Sequence, residues 1–366
     1  MNQIDVTALK VTNTDLTIVN AARTSFAKST DEMRPRDERL IAYLWKHRHW
    51  APIASGHMLC DMTINMESLG SFIEMLAEQG AGIRVKIVHY NRAICAMSLY
   101  WALENWAALP SGVRHAVLDR FPAACAASGR ELRSYRLFNS PFLSGYDLTC
   151  NEAAIEAERL RLVIPRLSEW DIARLITLSL HVKAPIFLAR QLGKHQVDLV
   201  WSEISRRYVS GEPELFSPAI WRKRNPDAKQ GSLDEPADWV PMRRTAKFLG
   251  GGNVRMDPSA SHKLWNQLAL AYYGDLIDGD VAPEQARMEL PQSMLTEWYW
   301  TGSVAAFARC YAQRGPYAHG AQEEARRFAS LMDTQLNDEL PFLWTTAKNM
   351  AADIQGRNNT SLAKAS

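Results

Sequence analysis

The first part of the chain alternates short apolar stretches with polar turns. Apolar residues recur at helical spacing over 31–47, with Asp37 and Glu38 near the start and basic residues at the end, which predicts a helix. Loose alternation over 9–19 predicts a strand that leads into a short turn. A proline at the centre of 49–53 predicts a loop after the helix.

Residues 66–172 show helical patterns of apolar residues. They contain no His or Cys residues at the spacing of a metal site and no glycine-rich phosphate loop. We therefore interpret the segment 66–172 as a helical insertion with a structural role. The predicted helices lie at 66–79, 96–108, 113–133 with a break near Phe121-Pro122, and 152–162.

An apolar run at 175–180 predicts a buried element, and a change of composition follows it. Proline and glycine concentrate over 210–257, which predicts a long excursion with little regular structure. Helical patterns return over 262–277 and 321–336, and the polar residues from 346 to 366 predict a tail.

The bulk composition excludes several classes of protein. The formal net charge of the 366 residues is +2, whereas a protein that coats nucleic acid is strongly basic, so nucleic acid is not an expected partner. We find no apolar run of membrane-spanning length and no signal-peptide pattern at the N-terminus. Five cysteines occur singly, which favours reduced thiols in a cytoplasmic protein, or in the host cytoplasm for a viral one.

The segment 185–208 contains the densest group of polar and ionic side chains, directly after the buried run. One interpretation is a surface helix in which Lys194 pairs with Asp198 and Glu203 pairs with Arg207. The other is a site for a phosphorylated ligand, because cationic donors, hydroxyls and a carboxylate suit such a molecule. The residues alone leave both interpretations open.

Further arginines favour the ligand site. Arg287 and Arg314 lie within apolar stretches, where an arginine is seldom buried without an anion, and together with Arg207 they could converge on one phosphate. The chain contains no nucleophile elbow, no Walker loop and no zinc motif. An enzyme of this kind would take its reactive group from a cofactor.

The order Arg190-Gln191, Lys194-His195-Gln196, Ser205 and Arg207-Tyr208 resembles the signature of the flavin-dependent thymidylate synthases. That signature has Arg-Gln, then Arg-His-Arg, then Ser and Arg-Tyr. Flanking segments resemble other family motifs in the same order, at 21–26, 37–52, 181–185, 287–291 and 301–322.

The resemblance implies a fold, an activity and an assembly. The fold is α+β, with a central, largely antiparallel sheet flanked by helices. The catalytic domain would comprise 1–65 and 173–345, interrupted by the insertion at 66–172. FAD reduced by NADPH would assist transfer of a one-carbon unit from 5,10-methylenetetrahydrofolate to C5 of a deoxypyrimidine monophosphate, with dUMP giving dTMP. A homotetramer with active sites between subunits is implied as well.

The resemblance also assigns roles to individual residues. Arg314 and Ser205 would be catalytic, and Arg314 would stabilise charge that develops on the pyrimidine. The substrate would be bound by Gln191, Glu203, Ser205, Arg206, Arg207, Arg287 and Arg314. The flavin would be bound by His49, Lys194, His195, Gln196 and Arg309.

Several residues depart from the family pattern, mostly on the flavin side. Lys194 and Gln196 replace the two arginines of Arg-His-Arg, Ser202 replaces an asparagine, and Ala54 replaces a glutamate. The pair Asn91-Arg92 could supply replacement contacts.

Two other functions therefore stay open. One is a pyrimidine hydroxymethylase or dCMP-specific methylase that makes modified nucleotides for viral DNA, with Ser202 and Arg309 as the residues that would mark the change. The other is a nucleotide-binding relative without catalysis.

Overall fold

Two four-stranded antiparallel sheets form the framework of the molecule. The computed structural model describes residues 3–9, 14–64, 82–89, 92–109, 111–130, 143–149, 153–227, 231–252, 254–318 and 320–365. The strands are β1 (Asp5–Leu9), β2 (His57–Ile64), β3 (Ile83–His89), β4 (Arg92–Ser98), β5 (Leu143–Thr149), β6 (Thr177–Pro185), β7 (Leu199–Glu203), β8 (Arg222–Arg224), β9 (Ser232–Pro236), β10 (Val240–Pro241), β11 (Arg255–Met256) and β12 (Leu295–Ser303).

Fifteen α-helices lie within the described ranges of the chain. They are α1 (Asp15–Arg23), α2 (Pro35–Lys46), α3 (Trp50–Ala54), α4 (Leu99–Glu104), α5 (Ser111–Arg120), α6 (Pro122–Ala127), α7 (Ala153–Val163), α8 (Glu169–Leu175), α9 (Ile186–Leu192), α10 (Arg243–Phe248), α11 (Pro258–Asp278), α12 (Pro283–Ala286), α13 (Val304–Arg314), α14 (Glu323–Glu339) and α15 (Pro341–Ala365). In these same ranges, no helix is both long and apolar enough to span a lipid bilayer.

Sheet 1 has the strand order β1-β6-β12-β7, with every neighbouring pair antiparallel. Trp298 and Trp300 on β12 are buried, and Trp201 on β7 stacks on Trp298 with ring centroids 4.2 Å apart. This face of the sheet packs on α13 and α14, where Phe307 and Phe328 contact Trp300. The sheet confirms the expected α+β class with antiparallel strands.

Sheet 2 has the order β3-β4-β2-β5, and three of its strands come from the segment 66–172. The prediction of a helical insertion is therefore wrong where β3, β4 and β5 lie, although α4 to α7 belong to the same segment. Both faces of β4 are buried: Ala93 and Cys95 face one core, whereas Ile94 and Ala96 face the other. A strand buried on both faces shows no polar alternation, and its apolar run resembles a helix in sequence.

Helix predictions in this segment had mixed outcomes. The helix expected over 96–108 begins only at Leu99, because β4 continues to Ser98, whose hydroxyl caps α4. The break near Phe121-Pro122 is confirmed by α5 and α6, and the helix expected over 152–162 by α7. The helix expected over 66–79 lies outside the described residues.

Near the N-terminus the expected strand over 9–19 is wrong, because β1 ends at Leu9 and α1 begins at Asp15. Its β-branched residues favour strand locally, but Ile18 and Val19 are buried in the second core as part of a helix. The predicted loop at 49–53 contains the short helix α3, which accommodates Pro52 in its first turn.

Predictions for the second half agree better with the structure. The helices expected at 31–47, 262–277 and 321–336 are α2, α11 and α14. In its described parts, 210–227, 231–252 and 254–257, the excursion contains only short strands and α10. From 346 the chain continues α15 rather than starting an irregular tail, and Ala347 and Ala351 are buried.

A buried carboxyl group joins α1 to α6. Asp15 accepts backbone hydrogen bonds from Ala123 at 2.7 Å and Ala124 at 3.1 Å. Burial raises the pKa of Asp15 from 3.8 to about 6, although the two hydrogen bonds oppose this shift. The folded protein therefore holds a proton on Asp15 at pH values where the unfolded chain has lost it.

We expect this group to make the folded protein less stable as the pH rises from about 4 to about 6. The size of the effect is on the order of 3 kcal/mol. Asp15→Asn should remove that part of the pH dependence. Urea unfolding of both proteins between pH 4.5 and 7 measures it, and parallel curves for the two proteins would contradict the assignment.

Candidate functional site

The signature segment lies along an edge of sheet 1. It runs through α9, a loop at 193–198, the edge strand β7 and a turn at 204–208. Because it is not one helix, the ion pairs Lys194–Asp198 and Glu203–Arg207 of the surface-helix interpretation do not form.

The loop before β7 lies against α13. The guanidinium of Arg314 donates from Nε to Nε2 of His195 at 3.1 Å, and Arg309 donates to the carbonyl of Val197 at 3.4 Å. Burial, with the positive charges of Arg314 and Arg309, lowers the pKa of His195 from 6.5 to about 4. The imidazole is therefore neutral at pH 7, and its Nε2 accepts while Nδ1 carries the proton.

Asp198 ends this loop in a left-handed backbone conformation, with φ of 67°. Its carboxylate accepts hydrogen bonds from Arg84 at 3.0 Å and from the hydroxyl of Ser303. Arg84 also donates to Thr177, and it belongs to β3 of the segment 66–172. Asp198 thus joins the signature to a segment that was expected to be structural.

The turn after β7 contacts the N-terminal motif. Ser25 donates from its hydroxyl to the carbonyl of Glu203 at 3.1 Å, and its own carbonyl accepts from the amide of Ser205 at 3.1 Å. The Glu203 carboxylate accepts from Trp201 at 3.0 Å and from Thr296 at 2.7 Å. Glu203 is thereby fixed by its own chain.

The remaining arginines that were expected to bind the substrate differ in exposure. Arg207 is exposed and lies over the ring of Tyr208, 5.3 Å from its centroid. Arg206 is half-buried and donates to the carbonyl of Gly211 at 2.6 Å, and burial lowers its pKa. Arg287 is exposed and donates to the carbonyl of Glu284 at 3.2 Å.

The three arginines expected to converge make no contact with one another in the described part of the chain. Arg314 contacts His195, which precedes β7, whereas Arg207 follows β7. Five residues of β7, which span roughly 16 Å, lie in the chain between the contact of Arg314 and Arg207. The convergence of Arg207, Arg287 and Arg314 on one phosphate stays a prediction.

Two buried acceptors of the signature have no hydrogen-bond partner among the described residues. They are Oε1 of Gln191 and Oγ of Ser202. A buried polar atom without a partner costs about 1–3 kcal/mol, which a ligand or a second chain could remove. The place of Gln191 in a binding site stays a prediction.

The other expected flavin residues are exposed. Lys194 and Gln196 extend from the loop, and His49 stacks on Tyr43 with centroids 5.9 Å apart. His49 immediately precedes α3, which packs against β7. The fold therefore brings His49 to the signature edge of sheet 1.

The contacts of Arg84 and Ser303 with the signature were not predicted from the sequence. The alternation of apolar and basic residues over 83–87 was the available signal for a strand with a cationic face. The proposed replacement Arg92 instead pairs with Asp61 at 2.6 Å, and Asn91 lies outside the described residues. No cluster of three metal-ligating side chains occurs among the residues that the structure describes.

Comparison with known proteins identifies the family. The family model described as Thymidylate synthase complementing protein matches residues 136–342. The Flavin-dependent thymidylate synthase of Aquifex aeolicus (strain VF5) is 30% identical over 319 residues, which cover 86% of this chain and 92% of that protein. The chain belongs to the flavin-dependent thymidylate synthase family. It is thus a member of a family of methyltransferases.

Other relatives of this flavin-dependent thymidylate synthase homologue match over shorter lengths. The enzyme of the same name from Thermus thermophilus is 30% identical over 173 residues, or 46% of this chain and 56% of that protein. The Aquifex alignment is longer than the whole chain outside 66–172. The Aquifex relative therefore shares part of that segment, which is not peculiar to this chain.

Solved structures of the UMP/dUMP methylase PolB from Streptomyces cacaoi resemble the chain more distantly. The complex with 5-Br UMP gives a TM-score of 0.42 at 20% identity and covers 55% of this chain and 89% of PolB. The complex with 5-Br dUMP gives a TM-score of 0.39 at 17% identity and covers 95% of both chains. TM-scores below 0.5 carry no inference about the site.

We expect His195 of this flavin-dependent thymidylate synthase homologue to stay neutral between pH 8 and about pH 5. Two-dimensional NMR of the imidazole signals measures this, with His195→Gln used to assign the resonance. Arg314→Met should move the midpoint upward, because it removes one of the positive charges that disfavour protonation. A midpoint above pH 6 in the wild-type protein would contradict the geometry.

Proposed function

We propose that this protein catalyses flavin- and folate-dependent methylation of a deoxypyrimidine monophosphate at C5, with dUMP as substrate and dTMP as product. The observation that carries the proposal is the relation to the Aquifex enzyme over nearly the whole length of both proteins. The contact of Ser25 with Glu203 and Ser205 adds support, because it joins two family motifs that are far apart in sequence.

The nucleotide phosphate and sugar are bound by Gln191, Ser205, Arg207 and Arg287. Two exposed guanidinium groups and a hydroxyl fit a phosphate dianion, since charge-assisted hydrogen bonds are the strongest that a protein offers. The buried, unpartnered oxygen of Gln191 can accept from a sugar hydroxyl or a base amide. Arg206, which is half-buried in the same turn as Arg207, adds positive charge to the pocket.

Arg314 stabilises the negative charge that develops on the pyrimidine ring. Its partner His195 is neutral, so the hydrogen bond orients the guanidinium without neutralising it. A cation held in advance at the place where charge develops lowers the barrier without reorganisation during the reaction. Ser205 contributes its hydroxyl on the nucleotide side of the same pocket.

The residues at the loop end of β7 fit an anionic cofactor such as FAD. The loop carries the exposed Lys194 and lies against Arg309, whereas its one carboxylate, that of Asp198, is already paired with Arg84, so an excess of positive charge remains. We assign the FAD diphosphate to this excess charge, and His49, His195 and Gln196 to the rest of the cofactor. When bound, FAD would supply hydride chemistry, with NADPH as reductant and methylenetetrahydrofolate as one-carbon donor.

A complete site needs more than one chain. Arg207 and Arg314 make no contact with each other in the described chain, and their contacts come after and before β7, which favours a nucleotide site shared between copies, as in the homotetramer that we propose. On α11, Leu264, Leu268 and Tyr272 follow each other at four-residue spacing, and each is exposed by more than two fifths. An apolar stripe of this kind suits an interface between copies.

A change of base or product is the second candidate. Ser202 stands where the family has asparagine, and its buried hydroxyl is unpartnered among the described residues. A smaller group at this place leaves room for a different base or an added hydroxyl, which supports a dCMP-specific methylase or a hydroxymethylase. The third candidate function is nucleotide binding without catalysis.

We expect the purified protein to show flavin absorbance and to release tritium from C5 of labelled dUMP when NADPH and methylenetetrahydrofolate are present. The released tritium and the mass of the product identify both base and product. Release from dCMP alone would favour the second candidate. A colourless protein that binds no FAD and releases no tritium from either nucleotide would exclude both enzymatic functions.

Arg287→Ala should weaken dUMP binding by roughly tenfold to a hundredfold, because a charge-assisted hydrogen bond contributes about 1.5–3 kcal/mol. Isothermal titration calorimetry with dUMP measures the change. Arg244→Ala, which removes an exposed arginine from α10, is the control and should bind like the wild type. Unchanged affinity in Arg287→Ala would refute its assignment to the phosphate.

A further inference from the structure

Arg84 lies outside every family motif but contacts the signature directly. Its guanidinium donates to Oδ2 of Asp198 at 3.0 Å and also to Oγ1 of Thr177. Only 14% of the Arg84 side chain is exposed. A planar guanidinium that is fixed by two acceptors in this way has a defined direction, which a solvated surface ion pair lacks.

Asp198 precedes β7 and contacts both β3 and the residue that caps α13. Its carboxylate also accepts from Ser303, whose hydroxyl in turn caps α13 by accepting from the amide of Ala306 at 3.1 Å. Its carbonyl packs against Gly302 so closely that a Cβ at that position would collide with it. The positive φ of Asp198 costs about 1–2 kcal/mol, so surrounding contacts must hold it.

The conformation of the segment 194–197 depends on the contacts that hold Asp198 in place. Among the described residues, the amide of His195 donates to the carbonyl of Leu192 at 2.9 Å, and the amide of Leu199 donates to the carbonyl of Gln196 at 3.3 Å. His195 and Val197 also accept hydrogen bonds from arginines of α13. At the end of the segment next to β7, the long bond from Leu199 to Gln196 alone restrains the backbone among these hydrogen bonds. Asp198, held by β3 and by the cap of α13, fixes that end.

We propose that Arg84 is a positioning residue for the cofactor site, and that it acts through Asp198 to hold the segment 194–197 against α13. The segment 66–172 is then part of the site rather than an attachment to it. The identity of the cofactor as FAD rests on the proposed function, whereas the effect of Arg84 on the loop does not.

The first experiment uses the full-length protein without added FAD. Hydrogen–deuterium exchange of peptides that contain 194–199 is compared in wild type, Arg84→Met, Asp198→Asn and the double variant. Asparagine tolerates the left-handed conformation, so Asp198→Asn removes charge and leaves the backbone unstrained. We expect exchange to rise at least severalfold in each single variant, and the double variant to exchange like either single one.

Lys86→Met is the matched control. Lys86 lies on the same strand as Arg84 and pairs with Asp171 at 2.8 Å, so its loss loosens the contact of β3 with α8 without touching the signature. Exchange at 194–199 should stay at the wild-type level in this variant. Equal increases in Lys86→Met and Arg84→Met, or no increase in Arg84→Met, would overturn the proposal.

The second experiment measures FAD dissociation constants by flavin fluorescence. We expect about tenfold weaker binding in Arg84→Met, partial recovery in Arg84→Lys, and no change in Lys86→Met. Faster exchange with unchanged FAD affinity would overturn the role of Arg84 in the cofactor site. If the wild type binds no FAD, the proposed function fails, and the exchange result alone decides whether Arg84 positions the loop.

Discussion

The pairing of β12 with β6 on one side and β7 on the other is the constraint on which the site depends. Trp298 and Trp300 lie buried on one face of β12, and burying each large side chain contributes about 1.5–3 kcal/mol. A slip by one residue would turn both indoles away from α13 and α14. The register is therefore fixed, and with it the position of the signature residues at either end of β7.

Sheet 2 gives the segment 66–172 its place in the molecule. Since β4 is buried on both faces, this sheet lies between the two hydrophobic cores and contributes to each of them. Its strand β3 carries Arg84 to the loop before β7. The same packing that stabilises the segment thus brings a cation to the site.

Charge at the loop is arranged around one carboxylate and one neutral imidazole. Asp198 offsets the nearby guanidinium groups in part, and the low pKa of His195 leaves the charge of Arg314 available. A site of this kind attracts anions before any ligand is bound. Lys194 and Gln196 replace the two arginines of the family signature, and the loop nevertheless keeps a positive environment through Arg309 and Arg314.

The family and the helices with a regularly repeating apolar face, such as α2, α11 and α14, could be predicted from the residues alone, because motif order and hydrophobic period are local properties of the chain. The segment with the signature could also be located from its residues. Sheet 2 could not, since a strand buried on both faces carries no alternation, and a helix pattern fits its apolar run equally well. The partner of Asp198 lies 114 residues away, and the pKa of His195 depends on burial and on charges from α13. These features become visible in the folded chain alone, because they arise from distances between residues that the chain order does not fix.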